Sequence, residues 1–157
     1  MSNISMTTSK RNAIVTVMLI SAFVSMLNQT ILNTALPAII KGLNITETTA
    51  QWLITGFMLV NGIMIPLTAF LMDKYSTRHL YIFSMAIFLI GSIVAAFSPT
   101  FSILMISRII QAIGAGILLP LMQFTVFTLF PAEQRGFAMG LAGVVVQSAP
   151  AIGPTLT

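Results

Sequence analysis

Charged residues are widely spaced along this chain, and the stretches between them are apolar. Uncharged runs cover 12–40, 48–72, 80–107, 109–132 and 136–157. A helix that crosses a bilayer needs about 20 mostly apolar residues. The runs therefore predict five spanning helices, at 13–38, 49–72, 80–97, 102–129 and 137–157. Ser98-Pro99-Thr100 is a breaking turn that separates the third from the fourth. No segment alternates with a period of two, and the runs exceed the roughly 10 residues of a barrel strand. The pattern predicts an all-α, polytopic membrane protein with short connections at 39–48, 73–79, 98–101 and 130–136. Thr46 is placed to cap the second helix, with Glu47 at its positive end. The first helix does not read as a cleavable signal, because its apolar part is longer than the usual 7–15 residues and no small-x-small site follows it.

Composition narrows the function. Hydrophobic residues make up 57% and charged residues 6%, against roughly 25% charged in soluble domains. Both a soluble globule and a disordered chain are excluded. The net charge is +4, but no basic cluster exists to hold nucleic acid. One histidine, three carboxylates and no cysteine leave no nucleophile–base pair or metal-ligand cluster, so neither an enzyme, a metal site nor a cofactor is expected.

The loops set an orientation. Lys10 and Arg11 precede the first helix, Lys74 and Arg78 lie between the second and third, and Arg135 lies between the fourth and fifth. These segments share one side if the helices alternate, and Lys41 is the only basic residue opposite. The positive-inside bias places residues 1–12, the amino terminus, in the cytoplasm. His79 falls on that side as an interfacial loop residue.

A polar group in hydrocarbon costs several kcal/mol unless it finds a partner. The first helix carries Ser21, Ser25, Asn28, Gln29 and Asn33 as a broad stripe. Ser21 and Ser25 fit interhelical hydrogen bonding; for Asn28 and Asn33, packing and a water-filled pathway both stand open. Arg108 lies near 9 Å of depth in the fourth helix at 1.5 Å per residue. Facing lipid it would cost from roughly 3 to more than 10 kcal/mol. Its long stem allows snorkelling to the outer interface; the stronger expectation is that it faces a cavity with Gln111, one turn on. No carboxylate lies within the predicted spans, since Glu47, Asp73 and Glu133 all fall in loops. Ala112 and Gly116 form a small-xxx-small step that lets two backbones approach. In the fifth helix, Pro150, Gly153 and Pro154 read either as a hinge or as packing.

Several segments are familiar together. Asn28-Gln29-Thr30-Ile31-Leu32-Asn33-Thr34-Ala35-Leu36-Pro37 resembles the D-x-T-I-V-N-x-A-L-P signature of the 14-helix drug:proton antiporters of the major facilitator superfamily. The loop from Leu71 to Arg78 resembles G-x-L-A-D-R-x-G-R-K, and Arg108 to Gly114 matches R-x-x-Q-G-x-G apart from Ala112. Ala149 to Pro154 resembles the antiporter motif of helix five, and the runs Gln51-Trp52-Leu53 and Phe130 to Gly136 also fit. The chain looks similar to the EmrB/QacA group, especially lincomycin-resistance-type exporters.

This resemblance implies most of the N-terminal half-bundle of a bacterial plasma-membrane transporter working by alternating access. Its cargo would be a small apolar or cationic drug-like compound, exchanged for protons, and the missing C-terminal helices would be required. The isolated chain is expected to be inactive. Arg108, Gln111, Asn28, Asn33 and Gln51 become pathway residues. Asp73, Lys74, Arg78 and Arg135 become a gating loop, with Asp73 paired to Arg78 or Arg135. Pro150, Gly153 and Pro154 become a hinge. Departures are equally specific: Asn28 stands where many relatives have an acid and cannot titrate, Ser76 and Thr77 replace a glycine and a basic residue, and Ala69 replaces the loop's first glycine. The competing function is a complete small membrane protein that acts through helix–helix interaction without transport.

Overall fold

A computed structural model describes residues 7–153. Five helices follow in order: α1 Thr8–Leu43, α2 Glu47–Lys74, α3 Thr77–Ala96, α4 Phe101–Leu129 and α5 Ala132–Ile152. No strand occurs among the described residues. α1 to α4 are each long and apolar enough to cross a membrane. α5 carries Glu133 and Arg135 in its first turn, and residues 154–157 of the expected fifth span lie outside the described residues.

The helices run further than the charge-free runs predict, because caps rather than charges end them. α1 continues past Pro37 and Lys41 to Asn44, which takes a left-handed conformation (φ 51°, ψ 47°) and donates its N–H to the Ile40 carbonyl. Ile45 donates to the same oxygen at 3.2 Å. Asn is one of the few residues that tolerates this cap, and Lys41 sits at the negative end of the helix. Thr46 then caps α2, accepting from the Thr49 N–H at 3.2 Å, with Glu47 in the first turn. Thr100 caps α4 in the same way through the Ile103 N–H. The expected loop at 130–136 shrinks to Phe130 and Pro131: α5 starts at Ala132, where Glu133 is stabilised by the positive helix end. The expected loop at 73–79 is likewise only Tyr75 and Ser76.

Short loops do not always make sequential helices close neighbours: α3 and α4 are the most extensively packed pair, but α2 and α3 are not. α2 and α3 are joined by two residues yet barely touch, and both pack extensively on α4. α4 is therefore the central helix: 56% of its apolar window is buried, against 22–28% in α1 to α3. Ile117, Leu118, Leu121 and Met122 of α4 form one core with Met18 and Ala22 of α1, Met64 of α2 and Leu80 of α3. α5 packs mainly along α1, through Ala138 against Val15 and Gly153 against Thr30.

Two close approaches fix α4 in place. A Cβ at Gly114 would lie 2.6 Å from the Ser84 carbonyl oxygen of α3. One at Gly116 would lie 2.5 Å from Met64 Cβ of α2. Only hydrogen fits at either position, so the small residues of α4 serve two partners. Pro120 has no N–H to give the carbonyl of Gly116, four residues earlier. Thr68 of α2 supplies a donor instead, its hydroxyl lying 2.7 Å from the Met64 carbonyl and 3.3 Å from that of Gly116. In a bilayer a freed carbonyl needs such a partner.

Candidate functional site

Arg108 is the one charged residue in the interior of a long helix; the other Lys and Arg residues of the chain lie at or near helix ends. It is 1% exposed, so it neither faces lipid nor snorkels to an interface. Its Nη1 donates to Gln111 Oε1 at 2.8 Å, one turn along α4. The same nitrogen donates to Asn28 Oδ1 of α1 at 3.3 Å. Phe57 of α2 packs against the guanidinium, 4.4 Å from its Cζ to the ring centroid. Gln111, itself 1% exposed, donates through Nε2 to Ser92 Oγ of α3 at 3.2 Å. Gly91 makes that contact possible, since a Cβ there would sit 2.8 Å from Gln111 Cγ. Residues from α1, α2 and α4 thus converge on one guanidinium, and α3 joins through Gln111. Arg108 Nε and Nη2 are buried with no hydrogen-bond partner among the described residues.

The other expected pathway residues divide. Asn28 joins the cluster. Asn33 and Gln51 are exposed and are not brought to Arg108. Ser21 bonds Tyr81 of α3 (2.5 Å between hydroxyls) and the Val17 carbonyl, which makes it an interhelical packing contact. Phe57, Gly91 and Ser92 were not singled out from sequence. An aromatic in an apolar helix and a lone Gly-Ser pair have no contrast with their surroundings; only the fourth helix, placed against both, reveals them.

The expected gating residues do not form the expected pair. Asp73, Lys74 and Arg78 are exposed, and Asp73 makes no ion pair with either Arg78 or Arg135 among the described residues. Arg135 is engaged elsewhere: its Nε donates to the Phe130 carbonyl at 2.9 Å, on the link between α4 and α5. Lys74 lies over Phe70 at 4.5 Å, and Arg11 lies over Phe130 at 4.4 Å. Arg11, Phe130 and Arg135 therefore gather where α1 meets the α4–α5 link. In α5, Pro150 is exposed, Gly153 is buried against Thr30, and Pro154 lies outside the described residues. No group of three or more His, Cys, Asp or Glu side chains that could hold a metal occurs among the described residues.

A family model described as Major Facilitator Superfamily matches residues 18–157. The chain belongs to the major facilitator superfamily. It is 55% identical over 147 residues to an uncharacterized MFS-type transporter, YcnB, of Bacillus subtilis, covering 94% of this chain and 31% of that protein. It is 45% identical over 140 residues to the lincomycin resistance protein LmrB of Bacillus subtilis, covering 89% and 29%. To the probable multidrug resistance protein EmrY of Escherichia coli it is 34% identical over 137 residues, covering 87% and 27%. The chain thus spans about 30% of the length of these relatives. In this major facilitator chain the segment from Arg108 to Gly114 carries both the buried charge and the glycine that seats α4 on α3.

Proposed function

We propose that this segment forms part of the cargo pathway of a bacterial exporter of small apolar compounds, driven by proton exchange through alternating access. The observation that carries the reading is the Arg108 cluster. A guanidinium 1% exposed, hydrogen-bonded to both α1 and its own helix, is costly to keep unless it acts on something passing through the bundle. Relatives named for resistance to lincomycin and to multiple drugs support an export role and drug-like cargo. The membrane is the plasma membrane, with the end that carries Lys10, Arg11, Arg78 and Arg135 in the cytoplasm. Pro150 and Gly153 bend α5 against α1 as the bundle changes state. Substrate binds near the midplane between this bundle and further helices. Cationic cargo would have to pass Arg108 with no carboxylate in α1 to α4 away from their ends, so neutral or anionic cargo fits this stretch of pathway better.

The test is efflux of a panel of drug-like compounds by a protein of the relatives' full length that carries this segment. Arg108→Ala should abolish efflux while expression stays near normal. Arg108→Lys should restore only part of it, because a point ammonium does not replace the planar fork. Efflux by Arg108→Ala equal to the parent would refute the assignment.

A further inference from the structure

The five N–H donors of a guanidinium point in fixed directions in one plane. Both acceptors at Arg108, Asn28 Oδ1 and Gln111 Oε1, are served by the same nitrogen, Nη1. The two nitrogens left without partners are Nε and Nη2. By the geometry of arginine, Nη1 is the terminal nitrogen on the Cδ side, so Nε–H and one Nη2–H project side by side from the opposite edge. Two parallel donors at that separation are the fork that grips both oxygens of a carboxylate. The unpaired donors therefore form one complete binding edge.

We propose that this edge binds the carboxylate of a small-molecule ligand, one oxygen on Nε and the other on Nη2. The site rests on the pathway reading above for its access, and it names the class of cargo that pathway takes. Charge favours the assignment. Glu47, Asp73 and Glu133 all lie in the first or last turn of their helices, so α1 to α5 supply no internal counter-charge to Arg108. A carboxylate neutralises it and fills both donors. A neutral carbonyl leaves the charge uncompensated, an ammonium is repelled, and a halide meets the edge with a single atom. Phe57 beside the guanidinium favours an apolar or aromatic body behind the carboxylate. Both nitrogens are closed off in this arrangement of the helices, so on this proposal a ligand reaches them when α1 and α4 part. The bond to Asn28 is the longer of the two at 3.3 Å, and α1 packs on α4 less extensively than α2 and α3 do.

Benzoate is a suitable probe. Equilibrium dialysis of radiolabelled benzoate against the 157-residue chain in lipid nanodiscs, corrected with empty nanodiscs, should show saturable binding. Benzylamine, the same ring with a cation, should show none, and chloride should compete far more weakly than benzoate. Asn28→Asp keeps Arg108 and is nearly isosteric; by placing a carboxylate on the guanidinium it should weaken benzoate binding about tenfold or more. Arg108→Lys should weaken it comparably, because the fork is lost while the charge stays. Circular dichroism confirms that both variants are folded. Absence of saturable benzoate binding, saturable benzylamine binding, chloride competing as well as benzoate, or unchanged affinity in both variants would each overturn the proposal. None of these outcomes decides whether the full-length protein exports drugs, which the efflux assay reads separately.

Discussion

α4 and α5 both carry glycines, and most of those in α5 have surroundings opposite to those in α4. In α4, Gly114 and Gly116 touch α3 and α2 so closely that a methyl group cannot be added without displacing backbone or Cβ atoms. In α5, Gly136, Gly140 and Gly143 have nothing within 4 Å of an added Cβ, and Gly153 at the C-cap is the one that meets another helix, at Thr30 of α1. The contrast extends to polar groups. In α4, Arg108, Gln111 and the Gly116 carbonyl are engaged by side chains from the other helices. In α5, Gln147 is exposed, and the helix packs mainly along α1. A small residue in a membrane helix therefore signals a helix contact only when a second element fills the space it leaves. Composition alone does not separate the two cases.

The sharpest break of this contrast is Gly114→Leu. A leucine there overpacks the α3–α4 seam, and a loss of about 3 kcal/mol or more is expected, read as failure to recover a monodisperse chain or a large fall in midpoint on thermal or denaturant unfolding in nanodiscs. The next effect has the opposite sign. Arg108 is a buried charge with two unpaired nitrogens, and exchanging buried ionic groups for apolar ones of similar volume is often neutral or stabilising by about 1–4 kcal/mol. Arg108→Met alone strands the buried Gln111 Oε1, so it is the double variant, Arg108→Met with Gln111→Met, that should raise the unfolding midpoint of the 157-residue chain while removing its ligand site. A large destabilisation would mean that the guanidinium is structural. Tyr81→Phe deletes the hydroxyl contact with Ser21 that ties α3 to α1; about 0.6 kcal/mol is expected from interhelical bonds of this kind. Smallest is Gly143→Ala, where open space admits the methyl and helix propensity favours it. Its effect should lie between zero and a gain of about 1 kcal/mol. Destabilisation at Gly143 as severe as at Gly114 would erase the distinction between the two helices.

Hydropathy made the helical membrane fold readable, because a bilayer accepts few other backbones. Helix ends were less readable. Charge marks where hydrocarbon stops, whereas Asn44 and the Pro131-Ala132 start of α5 mark where the backbone turns, and the two differ by up to a full turn. Arg108 with Gln111 could be read from sequence because a charge in a long apolar run must be explained, and their spacing puts them on one helix face. Asn33 shares the polar stripe of Asn28, and Gln51 joins them through the family resemblance. Polarity does not say which way a residue points, and both Asn33 and Gln51 are exposed. The neighbours that complete the cluster, Phe57, Gly91 and Ser92, depend on α4 lying between α2 and α3. The short link from α3 to α4 suggests one half of that arrangement; loop length gives no hint that α2 packs on α4 and not on α3. The gating loop shows a related limit: a motif supplies opposite charges in sequence order, but Arg135 is held by the Phe130 carbonyl instead of Asp73.

The central claim is that the Asn28 side of Arg108 belongs to a route through the protein and not to its lipid surface. This segment has no native cysteine, so single cysteines in it report cleanly once any cysteines elsewhere in the longer protein are replaced. The deciding measurement is labelling of Asn28→Cys by a membrane-impermeant, charged thiol reagent in a transport-competent protein carrying this segment, with and without an exported compound. Ile106→Cys, 55% exposed on the same helix as Arg108, serves as the reference on the outer surface of this bundle. Position 28 should be labelled, the exported compound should suppress that labelling, and position 106 should stay unlabelled. Labelling at 106 with a silent or unprotected position 28 would contradict it.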